Sequence, residues 1–576
     1  MHHHTPHNRV LVIGLDGGTY DVLVPLAERG LLPNLKRLMA ESALAVLRST
    51  QPYITPAAWT TFQTGVDVAD HGVLDYRYLD HRRGQLLLNH AGRIACPTLF
   101  DAVAAAGGAV VSLNLPMTYP PRADAAGIIV GGIESPSIEA ALAGQPAFAR
   151  RLRENATQFD LAPVWRRRPR DFDELHRNVA ATRADFRGRA AAATVADDMV
   201  DWRLMCVQFQ TLDALQHRCW HLLGLDDGRS HQASEVFASQ SSQPAAPRVQ
   251  ANAATGNAAV EQPAPPAWTR EVHLALRALD DAVGELVELA ERRNAAIVVA
   301  SDHGFGPFRA KISLPELFRR RGLLVAAGRG ERIAHRLAGW GLRARKWLRR
   351  QRTPGRGTAD LRRPPAGVLP LDWKRSTAVC LHGDLGALVY LNTPERFGGP
   401  VGSARQRRQA AADCIAALSE ARHPETEEPL FADAYSAAER FGFDPLERLW
   451  PDVAGIPAAG FHTRTKLDAA PRLVLPDHEL TGTHRLEGVL MIRAGGAAIG
   501  AGNSAELRDA APTILHLLGL SPSPHMTGRV LREMFSADAT RQPAMPRPHF
   551  ASPVPAISAS EQAVVEARLR DLGYLD

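Results

Sequence analysis

One short pattern recurs along the chain: an apolar run that stops at a polar residue or a glycine. It occurs as RVLVIGLDGG (Arg9–Gly18), AVVSLN (Ala109–Asn114), RLMCVQFQ (Arg203–Gln210), AAIVVASDHG (Ala295–Gly304) and GVLMIRAGG (Gly488–Gly496). Short runs that are apolar at successive positions predict strands buried on both faces. GIIVGG (Gly127–Gly132) has the same length and character. Helical spacing lies between the runs, over Leu31–Glu41, Pro97–Ala106 and Trp268–Arg292. The alternation predicts an α/β fold, with a doubly wound, mostly parallel sheet flanked by helices. In such sheets, sites form beyond the carboxyl ends of the strands. The residues that follow each apolar run therefore carry the most information.

Asp16 follows the first run, Asp213 and His217 follow the third, and Asp302 and His303 follow the fourth; His484 stands just before the last. Aspartate oxygen and histidine nitrogen are ligands that zinc and similar divalent ions accept. Asp213 and His217 are four apart, which puts them on one side of a helical turn. Asp302 and His303 are adjacent and reach one ion only at a sharp corner, which the glycines of SDHGFG supply. These residues suffice for two open metal sites of three protein ligands each. Taken singly, an aspartate after a strand is more often a turn or cap residue, and a lone histidine is usually a surface or satisfied core residue. Their joint placement at strand ends is what points to a metal centre.

The segment ITPAAWTTFQTG (Ile54–Gly65) reads as a helix start. Thr55 is expected at the N-cap and Pro56 at the first helical position, a favoured pairing. The free N–H groups of Ala57 and Ala58 would then face an anion, helped by the helix dipole.

Taken in order, VIGLDGG, TPAAWTTFQTG with the HGV that follows it, TLDALQH, ASDHGFGP and GTHRLEGVL resemble the successive metal-site motifs of the alkaline phosphatase superfamily. The resemblance is strongest to the type I phosphodiesterase/nucleotide pyrophosphatase group and its bacterial phosphohydrolase and phosphomutase relatives. NLPMTYPP (Asn114–Pro121), DAAPTILHLLGL (Asp509–Leu520) and the closing RLRDLGYLD resemble further pieces of that group. The resemblance implies that Asp213, His217 and His484 hold one divalent ion and that Asp16, Asp302 and His303 hold a second. It implies Zn2+ first, with Mn2+ as the alternative, and Thr55 as the nucleophile that bridges both ions. The implied activity is metal-dependent hydrolysis of a small-molecule phosphoester, as a phosphodiesterase working through a phospho-threonine. A phosphomutase on the same architecture is the alternative enzyme, and a peripheral membrane protein is the non-enzymatic one.

Nucleotide pyrophosphatases of that group carry an asparagine shortly after the nucleophile. The matching position here is Ala58, so the backbone N–H groups of Ala57 and Ala58, or the side chain of Asn114, are the expected phosphate contacts. Cys96-Pro97 lacks the arginine and spacing of the sulfatase motif, which excludes sulfatase chemistry. His71 lies past the nucleophile helix and reads as structural.

The chain has 576 residues and a net charge of +6, which is unevenly spread. Between Arg319 and Arg363 stand 15 Lys and Arg against only Glu331 and Asp360, so the remainder is net negative. Within that stretch Ile333, Leu337, Trp340, Ala344 and Trp347 recur at helical spacing among arginines. This predicts a basic amphipathic helix, suited to drawing in anionic substrate or to meeting an anionic membrane surface through residues 329–350. No nucleic-acid-binding module is recognisable, and no specific nucleic-acid partner is expected. Residues 226–266 are rich in Ala, Ser, Gln, Asn and Pro and predict a disordered insertion.

The expected organisation is a tail over 1–8, catalytic segments over 9–225, 267–322 and 371–540, insertions over 226–266 and 323–370, and a tail over 541–576. The opening MHHHTPHNRVLVIGLD lacks the pattern of a signal peptide. The five cysteines (Cys96, Cys206, Cys219, Cys380 and Cys414) are scattered with no C-x-x-C. Together these predict a reducing, cytoplasmic setting, peripheral at the inner membrane face if the basic helix engages lipid.

Overall fold

The first apolar run forms strand β1 (Val10–Leu15), with all its residues buried. Leu11, Ile13 and Leu15 face one apolar core, while Val10 and Val12 face another on the opposite side. A strand covered on both faces has no need of polar residues, which is why the run is continuous rather than alternating. The computed structural model describes residues 8–122, 127–161, 165–225, 267–327, 371–466, 472–495, 497, 500–535, 557–572 and 574–575. The predicted insertion over 226–266 and the basic helix over 329–350 lie outside the described residues, as do residues 541–556 of the C-terminal tail.

The central sheet holds eight strands. After β1 they are β2 (Ala43–Arg48), β3 (Ala109–Leu115), β4 (Gly127–Gly131), β5 (Trp202–Phe209), β6 (Ala296–Ala300), β7 (Glu487–Arg493) and β8 (Gly500–Glu506). Their spatial order is β8-β2-β7-β6-β1-β5-β3-β4. Pairing is parallel throughout except that β7 runs antiparallel to both β2 and β6. The expected doubly wound, mostly parallel α/β sheet is therefore present. The register sets β1 Val10 beside Leu204 of β5 and beside Ala296 of β6. The tips of β1, β5 and β6 thus end side by side at one edge. Because β7 is reversed, the residues just before it lie at that same edge.

Two helices that matter for the site rise from this sheet: α1 (Thr55–Thr64) and α3 (Thr211–Cys219). The long helices α2 (Phe172–Met199) and α4 (Ala267–Arg292) supply much of one covering layer. α4 starts and ends where the helical spacing predicts.

The chain divides into two compact units. One comprises residues 1–73, 90–307 and 479–565 and contains the central sheet with every candidate ligand; the other comprises 74–89, 308–478 and 566–576. The second unit is built on a four-stranded antiparallel sheet, Ala378–Cys380, Ala387–Leu391, Val453–Pro457 and Phe431–Ser436, with its own apolar core. The division after residue 307 falls ahead of the expected boundary at 322/323. All five cysteines are free thiols. Among the described residues, no helix is long and apolar enough to cross a membrane.

Candidate metal centre

The sequence-predicted ligands converge. Asp16 directly follows β1, Asp213 and His217 sit one turn apart on α3, and Asp302 and His303 follow β6 after Ser301. His484 lies on a short strand, Gly482–Arg485, that pairs antiparallel with Gly304–Pro307 and places His484 opposite Phe305. All six are buried.

Their potential ligand atoms form two overlapping groups: Asp213, His217 and His484, and Asp16, Asp213 and His303. In the first, His484 Nε2 is 3.0 Å from Asp213 Oδ1, and His217 Nε2 is 3.5 Å from it. The two imidazole Nε2 atoms are 3.0 Å apart. In the second, His303 Nε2 lies 3.7 Å from Asp16 Oδ1 and 3.1 Å from Asp302 Oδ2. Asp213 belongs to both groups, a sharing that sequence spacing does not reveal. Asp302, expected beside Asp16 and His303, falls in neither group; its Oδ2 lies against His303 Nε2 and its Oδ1 accepts the N–H of Gly17 at 3.1 Å.

The donor set fits divalent metal on three observations. Each histidine has its Nδ1 against a backbone carbonyl 3.0 Å away: His217 on Gly482, His303 on Gly304 and His484 on Tyr53. Nδ1–H donation to a carbonyl leaves Nε2 with its lone pair, the tautomer of a histidine that ligates through Nε2. His217 and His484 then aim two lone pairs at each other, an arrangement that a cation or a proton must relieve. Second, Asp16 Oδ1 is buried without a hydrogen bond. Third, burial above all, with the nearby charges of Asp302 and Asp213, holds the Asp16 carboxyl well above the ordinary range. A neighbouring dication would reverse that cost.

The histidines divide electrostatically. Burial pushes His217 down to about 3, against the pull of Asp213. Burial, then His303, also lowers His484. At His303 burial works in the same direction, but Asp302, Asp213 and the Gly304 carbonyl together outweigh it and raise the imidazole. Burial tends to raise Asp213, and His217 and His484 together overcome it and hold the carboxyl low.

Thr55 is fully buried and its Oγ has no hydrogen bond. It is not the N-cap. Ile54 is the N-cap, in extended conformation at φ −118 and ψ 140, and its carbonyl accepts the first helical bond from the Ala58 N–H at 2.9 Å. The helix thus starts one residue earlier than the Thr-Pro pair suggests, with Thr55 as its first residue. Ala58 consequently has no free N–H to offer a phosphate, and its side chain packs in the core with Trp59 and Phe62. The N–H of Ala57 keeps its place among the unpaired donors of the first turn.

Helix α1 is tied to both ligand groups. The Tyr53 carbonyl, two residues before Thr55, meets His484. Trp59, four residues after Thr55 and hence on the same helix face, donates Nε1–H to Asp16 Oδ2 at 2.9 Å. Gln208, near the end of β5, donates to the same oxygen at 2.6 Å. Trp59 and Gln208 thus border the candidate ligands, and no local pattern in the sequence marks either of them.

Gly17 completes the corner after β1. Its φ is +67, and a Cβ there would sit 2.7 Å from Phe305 Cδ2, so only glycine fits without strain. Asn114, the other candidate phosphate contact, stands one residue before the end of β3 with a left-handed φ of 66 and is buried. With its amide oxygen turned to Arg189, it accepts from Nη1 at 2.5 Å and Nη2 at 3.2 Å. Beyond β4, Glu134 Oε1 accepts the N–H groups of Thr118 and Tyr119 at 2.9 and 3.0 Å, closing the loop after Asn114. Burial pushes this carboxyl up to about 7. His71 is structural, as its position suggests: Nδ1 accepts from Val73 N–H at 3.2 Å, so Nε2–H donates to Thr61 Oγ1 at 2.9 Å.

Two solved structures are similar to this chain at low identity. Phosphonoacetate hydrolase from Sinorhizobium meliloti 1021, solved with phosphonoacetate, is 16% identical with a TM-score of 0.48, covering 89% of this chain and 95% of its own. Human ectonucleotide pyrophosphatase/phosphodiesterase 5 is 12% identical with a TM-score of 0.49, covering 92% and 100%. No curated protein matches the sequence. The family model described as type I phosphodiesterase/nucleotide pyrophosphatase matches residues 10–469. That span contains every candidate ligand except His484, which the geometry places with Asp213 and His217. With most of its length matched, the chain belongs to the type I phosphodiesterase/nucleotide pyrophosphatase family of phosphoester hydrolases.

Proposed function

We propose that the protein is a two-metal phosphodiesterase that cleaves small-molecule phosphodiesters through a phospho-threonine on Thr55. The observation that carries this reading is the orphaned Thr55 hydroxyl. It is buried, unbonded, and on a helix held to Asp16 by Trp59 and to His484 by Tyr53. A buried hydroxyl without a partner costs stability, and a nucleophile that awaits its substrate accounts for that cost.

Asp213, His217 and His484 would hold one ion, and Asp16, Asp302 and His303 the other, with Asp213 close to both. The nitrogen-rich first set favours Zn2+, with Mn2+ as the alternative. When bound, such ions polarise phosphoryl oxygens and favour an ionised nucleophile and leaving group.

Thr55 Oγ attacks phosphorus in line. The new P–O bond forms as the bond to the leaving oxygen breaks, and the proton lost by the threonine is taken up, through solvent, by the departing alkoxide, which leaves as an alcohol. Water then attacks the phospho-threonine, restoring the hydroxyl and releasing a phosphomonoester. Thr55 is in the first turn of α1, whose positive end and free Ala57 N–H favour the anionic phosphoryl group. The side chain at Ala58 offers no hydrogen bond, so recognition of the phosphate depends on backbone donors and the ligand cluster.

The test is hydrolysis of bis(p-nitrophenyl) phosphate by zinc-loaded protein. Thr55→Ala should abolish turnover while leaving bound metal unchanged. Turnover that survives Thr55→Ala, or wild-type protein that cleaves only monoesters, would overturn the reading.

A further inference from the structure

Asp16 Oδ2 and Asp16 Oδ1 have unlike surroundings. Oδ2 accepts from both Gln208 Nε2 and Trp59 Nε1, while Oδ1 accepts from no donor and faces His303. Two donors fill the lone-pair positions of one carboxylate oxygen, which leaves the other as the only oxygen able to ligate.

Gln208 is itself held from behind. Its backbone carbonyl accepts from Arg189 Nη1 at 3.1 Å. Arg189 is fully buried on α2, and Asp185, one turn earlier, grips it in a fork: Nε to Oδ2 at 3.1 Å and Nη2 to Oδ1 at 2.8 Å. With its amide oxygen turned toward it, Asn114 near the end of β3 accepts from the same guanidinium. One buried ion pair thus fixes the ends of β3 and β5, and through the Gln208 side chain it reaches the residue that ends β1. Buried ion pairs of this kind contribute little net stability compared with apolar packing. Their fixed geometry is what an apolar replacement would lose.

We propose that Gln208, backed by the Arg189–Asp185 pair, is a positioning residue that locks Asp16 into offering only Oδ1 to a metal ion. Gln208 touches neither the ion nor the substrate; it sets the carboxylate's rotation. The inference rests on the reading of Asp16 as a metal ligand. It adds that the ion near Asp16 and His303 depends on Gln208, whereas the ion near His217 and His484 does not.

The experiment is calorimetric titration of metal-free full-length protein with Zn2+, alongside apo-protein melting. Wild type should bind two ions. Gln208→Ala should weaken one of them about 10–100-fold, the loss typical of partners that orient a ligand, and leave the other unchanged. Gln208→Glu keeps the side-chain volume but sets a carboxylate against Asp16 Oδ2, and should weaken that same ion further. Arg189→Lys keeps the charge without the fork and should also act on that ion alone.

If both ions bind Gln208→Ala and Gln208→Glu as tightly as wild type, the proposal fails while the metal-site reading stands. If both ions weaken equally in step with a lower apo melting temperature, the role is merely structural and the proposal again fails. If wild type binds no ion that Asp16→Ala removes, the metal-site reading fails and takes the proposal with it.

Discussion

Glu134 provides a test of the sheet edge that is independent of metal. Its carboxyl is 3% exposed, and burial raises it from an ordinary 4.5 to about 7, although the backbone N–H groups around it, those of Thr118 and Tyr119 among them, pull the other way. Between those two values the folded protein holds a proton that the unfolded chain has released. Stability must therefore fall as pH rises through that window, and level off above about 7. At about 1.4 kcal/mol per tenfold, the gap amounts to about 3 kcal/mol.

Glu134→Gln removes the titration. The glutamine oxygen can still accept from Thr118 and Tyr119, so the loop closure survives. The new amide nitrogen would replace Oε2, which has no hydrogen-bond partner, and would cost about 1–3 kcal/mol at every pH. The absolute stability of the variant is thus a poor readout, and its pH dependence is a good one. Urea or thermal unfolding of both proteins should show the variant gaining about 3 kcal/mol on wild type from about pH 5 to about pH 8. A difference that stays flat over that range would refute the argument that burial governs this carboxyl.

Two further outcomes follow from the same geometry. Gly17→Ala places a Cβ 2.7 Å from Phe305 at a φ of +67, on the residue whose N–H holds Asp302. It should cost about 1–3 kcal/mol in unfolding measurements and most of the hydrolytic turnover, and a fully active, equally stable variant would show that the corner after β1 can shift freely. Burial pushes His71 down from 6.5 to about 3, so the unfolded chain binds the extra proton and stability is lost as pH falls between those values. His71→Leu should flatten that acid limb in denaturation curves and leave bound metal unchanged, whereas loss of an ion would make His71 a ligand after all.

What the sequence revealed depended on the range of the interaction that mattered. Asp16 and Asp302 were legible because each ends an apolar run, and burial on both faces keeps such runs free of polar residues. β8 was not: GAGNSAE has no apolar run, and its pairing with β2 even breaks register between Ala501 and Asn503. α2 was hidden for another reason. Its buried stripe runs through Leu175, Val179, Phe186 and Ala190 but also takes in Asp185 and Arg189, and charged residues on the inner face erase an apolar periodicity. The contacts that orient Asp16 were beyond any local pattern, since Trp59 and Gln208 lie 43 and 192 residues away from it. His484 was legible only as a residue standing ahead of an apolar run, and the reversal of β7 explains why such a residue can join others that follow strands.

The start of α1 shows how a displacement of one residue changes the chemistry. An N-cap threonine spends its side-chain oxygen on an N–H of the first turn. A hydroxyl so engaged would have to break that bond before attacking phosphorus. Here the Ile54 carbonyl opens the helix and no side chain caps it, so Thr55 Oγ has no competing backbone partner. Pro56 has no N–H to satisfy, so the uncapped start leaves fewer donors stranded than most sequences would. The Thr-Pro pair that suggests a cap thus fits the proposed nucleophile better. Proline limits the cost of an uncapped helix end, and the threonine hydroxyl is left free on the helix face that Trp59 turns toward Asp16.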